Sequence, residues 1–132
     1  MKKLNEILGT KYPIIQGGMA NIATGTFAAA CSNAGALGMI ATGAWDADRV
    51  RKEIRQAREL TDKPFGVNLM LMSPSVDDIA QIVLEEGVQV VTTGAGNPGK
   101  YIPAWKEAGV KVIPVVAAAV LAKRLERYDI DA

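Results

Sequence analysis

No histidine occurs anywhere in the 132 residues. A Ser-His-Asp triad, a Cys-His pair and a histidine-ligated metal site built from this chain are therefore excluded. Cysteine occurs once, at Cys31, which excludes an internal disulfide framework and makes a reducing, cytoplasmic setting the expectation. Cys31 lies in the small apolar run Phe27 to Asn33 and reads as a packing residue. Charge of one sign is also missing. Fifteen Lys and Arg against fourteen Asp and Glu leave +1, so nothing points to nucleic acid or to an anionic membrane surface. The longest apolar run, Val112 to Ala122, falls short of the ~20 residues that cross a bilayer. Met1-Lys2-Lys3 is a basic start, but Asn5 and Glu6 interrupt the apolar segment a signal peptide needs.

What is present is ordinary for a globular chain: 49% apolar and 22% charged residues, in one domain long enough to bury a core. Leu4, Ile7 and Leu8 form one face of a short helix that Gly9 ends. Apolar runs starting near Pro13, Leu37, Phe65, Val88 and Val110 read as five strands, spaced by roughly 22 to 28 residues. Between them lie helical patterns: one capped by Thr24 or Thr26, one over Asp48 to Leu60, one after Ser73-Pro74-Ser75, and a short one over Lys100 to Ala108. In the second, Val50, Ile54 and Ala57 make the apolar stripe, and its charges read as a solvated face. Ala117 to Tyr128 reads as a further helix, with Asp129 to Ala132 leading toward another strand. Regular alternation with strands apolar throughout means right-handed βαβ units and a parallel sheet. That leaves an open doubly wound sheet or part of a (β/α)8 barrel, of which a chain this long supplies the first five strands.

In either architecture ligands bind beyond the carboxyl ends of the strands. Those ends carry Gly17-Gly18-Met19-Ala20, Thr42-Gly43, Asn68 and Met70, Thr92-Thr93-Gly94, and Val115 to Ala117. The set is small, uncharged and rich in amide, hydroxyl and backbone groups, with no acid–base pair and no carboxylate cluster for a metal. It suits a heterocycle whose edge takes hydrogen bonds and whose face takes apolar contact. Asn68 is the anomaly, a polar amide inside an apolar run. Gly94-Ala95-Gly96-Asn97-Pro98 lacks both the Gly-x-Gly-x-x-Gly spacing and the Gly-Lys-Ser/Thr of a phosphate loop, and reads as a turn capping the next helix. Met19, Met70 and Met72 read as core filler.

Four ordered segments carry a family likeness: Tyr12 to Ala20, Ala34 to Gly38, Thr61 to Asn68 and Val90 to Pro98. Over essentially the whole chain the sequence resembles the flavin-dependent enoyl-acyl-carrier-protein reductase II and nitronate monooxygenase family. The resemblance implies the N-terminal half of a TIM barrel, with residues 1–132 a partial FMN-binding domain and the remainder of the barrel absent. It implies FMN at the strand ends, with cofactor contacts from Gly18, Met19, Ala20, Asn68, Thr93 and Gly94, and no catalytic residue within this chain. It also implies NADH or NADPH as reductant, and hydride passage through the flavin to an acyl-carrier-protein thioester. In the other branch the substrate is a small alkyl nitronate, with dioxygen.

The sequence departs from the family pattern at Asn21, where an aromatic is usual, at Ala36, where glycine is commoner, and at Thr42-Gly43-Ala44. The family's catalytic histidine, flavin-phosphate loops and lid belong to the second half, so the half alone is expected to be inactive. Two other readings stand beside this one. The chain could be an autonomous, non-catalytic α/β binding module, or a fragment forming a homodimer through unpaired strand edges.

Overall fold

The computed structural model describes all 132 residues. The elements run α1 (Leu4–Leu8), α2 (Gly25–Asn33), β1 (Gly38–Ala41), α3 (Ala47–Leu60), β2 (Phe65–Met70), α4 (Val76–Glu85), β3 (Val90–Gly94), α5 (Ile102–Glu107), β4 (Lys111–Pro114) and α6 (Ala119–Leu125), then a 3-10 turn over Glu126–Tyr128. Helix starts follow local chemistry. The Thr24 hydroxyl accepts from the Phe27 N–H and the Asp46 carboxylate accepts from the Arg49 N–H, each supplying one of the acceptors a first turn lacks.

The four strands are parallel and lie in the order β1-β2-β3-β4, each neighbouring the next in sequence. A doubly wound sheet reverses its order at a switch point, whereas a barrel never does. Packing agrees. One cluster of 19 buried residues joins Ile40, Val67, Leu69, Val91 and Val112 to the inner faces of α2, α3, α4 and α5. All four helices therefore cover one face of the sheet. The opposite face carries a cluster of only four buried residues, Leu8, Leu37, Met39 and Val90, where α1 closes the amino end of the strands. Helices on one side and strands in sequential order are the wall of a (β/α)8 barrel.

The sequence reading expects five strands, and the structure has four plus a single bridge. The segment from Pro13 meets the sheet only at Ile15, paired in parallel with Leu37. Pro13 has no N–H to give, and the chain turns away after Gln16, so the ladder stops after two bonds, Leu37 N–H to the Ile14 carbonyl and Gln16 N–H to the Leu37 carbonyl. At the far edge, Asp131 N–H donates to the Val112 carbonyl and its carboxylate accepts from the Val112 N–H at 2.8 Å. The stretch expected to lead toward a further strand does lie along the free edge of β4.

The charged face of α3 is not simply solvated. Arg51, Arg55 and Arg58 converge on Glu86, the residue that ends α4, with nitrogen–oxygen distances of 2.8, 2.8 and 3.3 Å. The Glu86 side chain is only 7% exposed. Hydrogen bonds from Arg55, helped by Arg51 and Arg58 and opposed by burial, pull its pKa from 4.5 down to about 2. A carboxylate depressed on folding stabilises the native state above its unfolded pKa and loses that contribution as pH falls toward its folded one. Stability should therefore decline between pH 5 and about 2 through this group. Replacing Glu86→Gln is expected to cost about 1–2 kcal/mol at pH 7, with Arg55 and Arg58 largely screened by solvent, and to flatten the acid limb of a Tm-against-pH curve.

Candidate active site at the carboxyl ends of the strands

Strand alternation sorts the candidate residues onto two faces. In β3, Val91 belongs to the helix-side core and Val90 to the inner cluster, so Thr92 and Gly94 point inward and Thr93 points toward the helices. In β2, Val67 and Leu69 face the helices and Asn68 faces inward. The parallel register places Asn68 beside Thr92, and the Thr92 hydroxyl donates to Asn68 Oδ1 at 2.8 Å. On the other side, the Thr42 hydroxyl donates to the Asn68 main-chain carbonyl at 2.8 Å. Asn68 is thus held by two threonines from flanking strand ends, while its Nδ2 has no acceptor within the protein.

Next to that amide lies a cavity of about 230 Å³ lined by Gly18, Ala20, Ala41, Gly43, Asn68, Met70, Gly94 and Ala95. Six of these eight residues are glycine or alanine, which leaves a flat, shallow wall. The fit is close at one point and open at another. A Cβ at Gly18 would lie 3.0 Å from Asn68 Cβ and 3.3 Å from its Nδ2, whereas a Cβ at Gly94 would meet nothing within 4 Å and would project into free space. A free amide donor beside a wall of small residues fits a planar heterocycle with a hydrogen-bonding edge.

The structure brings Gly18, Ala20, Asn68 and Gly94 together on this cavity and leaves two of the expected residues off it. Met19 is 39% exposed and does not line the cavity, and Met70, which does, and Met72 are exposed at 38% and 75% instead of filling the core. Thr93 is 1% exposed and faces the helix layer, where its hydroxyl has no hydrogen-bond partner. Thr92, one residue earlier, is the threonine that shares a face with Asn68. Because the Thr93 hydroxyl is buried and unpaired, Thr93→Val should raise stability by about 1 kcal/mol and leave ligand binding unchanged. Thermal denaturation and a binding titration on one sample check both halves.

The loop carrying Gly18 is shaped locally. Asn21 adopts φ 62°, a left-handed conformation that asparagine tolerates better than other side chains, and Ala23 N–H closes the turn on the Met19 carbonyl. Beyond Gly94, which ends β3, the chain bends: Ala95 has φ 58°, and the Asn97 side chain accepts from the Gly99 N–H, but the stretch does not cap α5 as expected, since its N-cap Tyr101 has no side-chain cap bond. A larger cavity of about 550 Å³ lies on the far side of Ala95, lined chiefly by Val115 to Ala117, Leu121, Arg124 and Arg127. It holds none of the expected cofactor residues. The smaller one has the positioned amide, and the chemistry favours it.

Sequential parallel strands with α2 to α5 on one face and a small-residue cavity at the strand carboxyl ends define the N-terminal half of a (β/α)8 barrel. The chain belongs to the nitronate monooxygenase family, whose model matches residues 1–132. A solved FabK from Thermotoga maritima is 51% identical with a TM-score of 0.95, over 99% of this chain and 42% of that one. A hydroxy-methyl-oxo-octahydro-indene-carboxyl-CoA dehydrogenase of Mycobacterium tuberculosis is 33% identical over 98% of this chain and 36% of its own length. A nitronate monooxygenase of Paraburkholderia phytofirmans is 47% identical over 79 residues, 60% of this chain and 22% of that protein. The chain thus spans well under half the length of these relatives.

Proposed function

We propose that this chain forms one wall of the flavin site of an oxidoreductase, most similar in its reaction to the enoyl-acyl-carrier-protein reductases. The observation that carries the reading is the Asn68 amide, fixed by Thr92 and Thr42 with its Nδ2 free, beside a cavity walled by Gly18, Ala20 and Gly94. FMN is the cofactor this wall suits. Gly18 and Ala20 let the ring approach the backbone, Gly94 leaves it room, and Asn68 Nδ2 donates to an acceptor on its edge. Met70, exposed at the cavity, offers polarisable apolar contact to whatever lies over the ring. Bound there, FMN would supply hydride transfer from NADH or NADPH to the enoyl double bond of an acyl-carrier-protein thioester. The chain's residues bind and orient. None of them is placed to move a proton at the cavity, so that role falls to residues outside this chain.

The family model favours a second reading, oxidation of alkyl nitronates with dioxygen. The assay that separates the two uses protein supplemented with FMN. Oxidation of NADH or NADPH is followed with a crotonyl thioester, and oxygen uptake with a nitroalkane anion. Thioester-dependent oxidation without nitronate-dependent oxygen uptake supports the reductase; the reverse supports the monooxygenase. Turnover of neither by a protein that binds FMN leaves a cofactor-binding half without activity of its own.

A further inference from the structure

The segment from Pro13 leaves the sheet in a particular way. Two rungs form normally: Leu37 N–H donates to the Ile14 carbonyl and Gln16 N–H to the Leu37 carbonyl, both at 2.9 Å. The next rung of a parallel ladder would join Met39 N–H to the Gln16 main-chain carbonyl. Instead, Met39 N–H donates to the Gln16 side-chain Oε1 at 2.8 Å. The side chain of Gln16 takes the place of its own carbonyl. Met39 is fully buried, so without that oxygen its N–H would be an orphan in the inner core.

The other end of the same amide works on the loop. Gln16 Nε2 donates to the Gly17 carbonyl, which belongs to the peptide immediately before Gly18. Gly18 in turn lies close against Asn68: a methyl group at Gly18 would sit 3.0 Å from Asn68 Cβ and crowd its amide. One side chain therefore ends the strand a rung early, keeps β1 satisfied, and holds the peptide that sets Gly18 against Asn68.

We propose that Gln16 is a positioning residue for the flavin cavity, a role that rests on reading that cavity as the flavin site. It never touches the ligand. It acts by fixing the Gly17–Gly18 backbone, and hence the height of the cavity wall over Asn68. An amide does this and a carboxylate does not. Ionised Glu keeps an acceptor for Met39 N–H but has no donor for the Gly17 carbonyl, and repels it. Methionine at this position supplies neither.

The test compares Gln16→Glu and Gln16→Met with the wild-type chain by thermal denaturation, amide hydrogen exchange and FMN titration. Gln16→Glu is expected to melt close to wild type, to exchange faster at Ile22 and Ala23, whose N–H groups close the loop on the Met19 carbonyl, and to bind FMN about tenfold more weakly. Gln16→Met is expected to show the same two changes and also to melt lower. Wild-type exchange and affinity in Gln16→Glu would overturn the proposal. So would a fall in melting temperature equal to that of Gln16→Met, since the glutamine would then be a core acceptor and nothing more. If the wild-type chain binds no FMN, the functional reading fails separately, and exchange alone decides: loop amides unchanged in Gln16→Glu overturn the positioning role, and loop amides released uphold it.

Discussion

Gly38→Ala should abolish or greatly lower the cooperative melting transition. A Cβ at this position would lie 1.8 Å from the Ala28 carbonyl oxygen and 2.5 Å from its carbon, so the obstruction is main chain and no rotamer relieves it. β1 and α2 cross here backbone to backbone, with Ala28 and Ala29 buried against the strand and the Ser32 hydroxyl accepting from the Gly38 N–H at 3.0 Å. To admit a methyl group α2 must lift away, opening the 19-residue core along one side and stripping that N–H of its acceptor. The cost is about 3–5 kcal/mol, a large share of the stability of a domain this size. Circular dichroism melts should show a lost or greatly lowered transition. Gly17→Ala is the matched control, because a Cβ there meets nothing within 4 Å, and its melt should overlay the wild type.

Gly94→Val should do the opposite, preserving the fold and removing the ligand. A side chain at Gly94 meets no atom within 4 Å, and the residue ends a strand whose other members are β-branched. Stability is expected to change by less than about 0.5 kcal/mol. The two methyl groups enter a cavity of about 230 Å³, in the space between Asn68 and Ala95. A flat ring resting on that wall is displaced, and FMN affinity should fall by at least about tenfold. Fluorescence quenching of FMN by the two proteins, measured beside their melting curves, reads both quantities. Equal affinities would mean that the ring lies elsewhere.

The two glycines show where sequence alone was informative. Apolar runs at regular spacing marked all four strands, and β2 matched its expected bounds, Phe65 to Met70, since Pro64 and the turn after Met70 punctuate it on both sides. Alternation of strand and helix marked a parallel sheet, and the family resemblance selected the barrel over a doubly wound sheet. The opening strand did not, because its shortening depends on a hydrogen bond from Met39, 23 residues away, to a side chain. The candidate site was half legible. Asn68 stood out as an amide in an apolar run, and glycine-rich strand ends marked the edge of the sheet where the cavity of small residues lies. Choosing between Thr92 and Thr93 required the pairing register, which places Thr92 and not Thr93 beside Asn68. Arg51, Arg55 and Arg58 looked like part of a solvated face because Glu86, their common partner, caps the end of another helix. Exposure of Met19, Met70 and Met72 was likewise a matter of tertiary packing, since methionine fills cores and rims equally well.

The most direct test of the account is a proton–nitrogen correlation spectrum of the labelled chain titrated with FMN. The account expects saturable shifts at the Gly18, Ala20 and Gly94 amides and at the Asn68 side-chain NH2, with the α3 amides unaffected. Shifts confined to Ala117, Leu121, Arg124 and Arg127 around the larger cavity, or no shifts at saturating FMN, would contradict it.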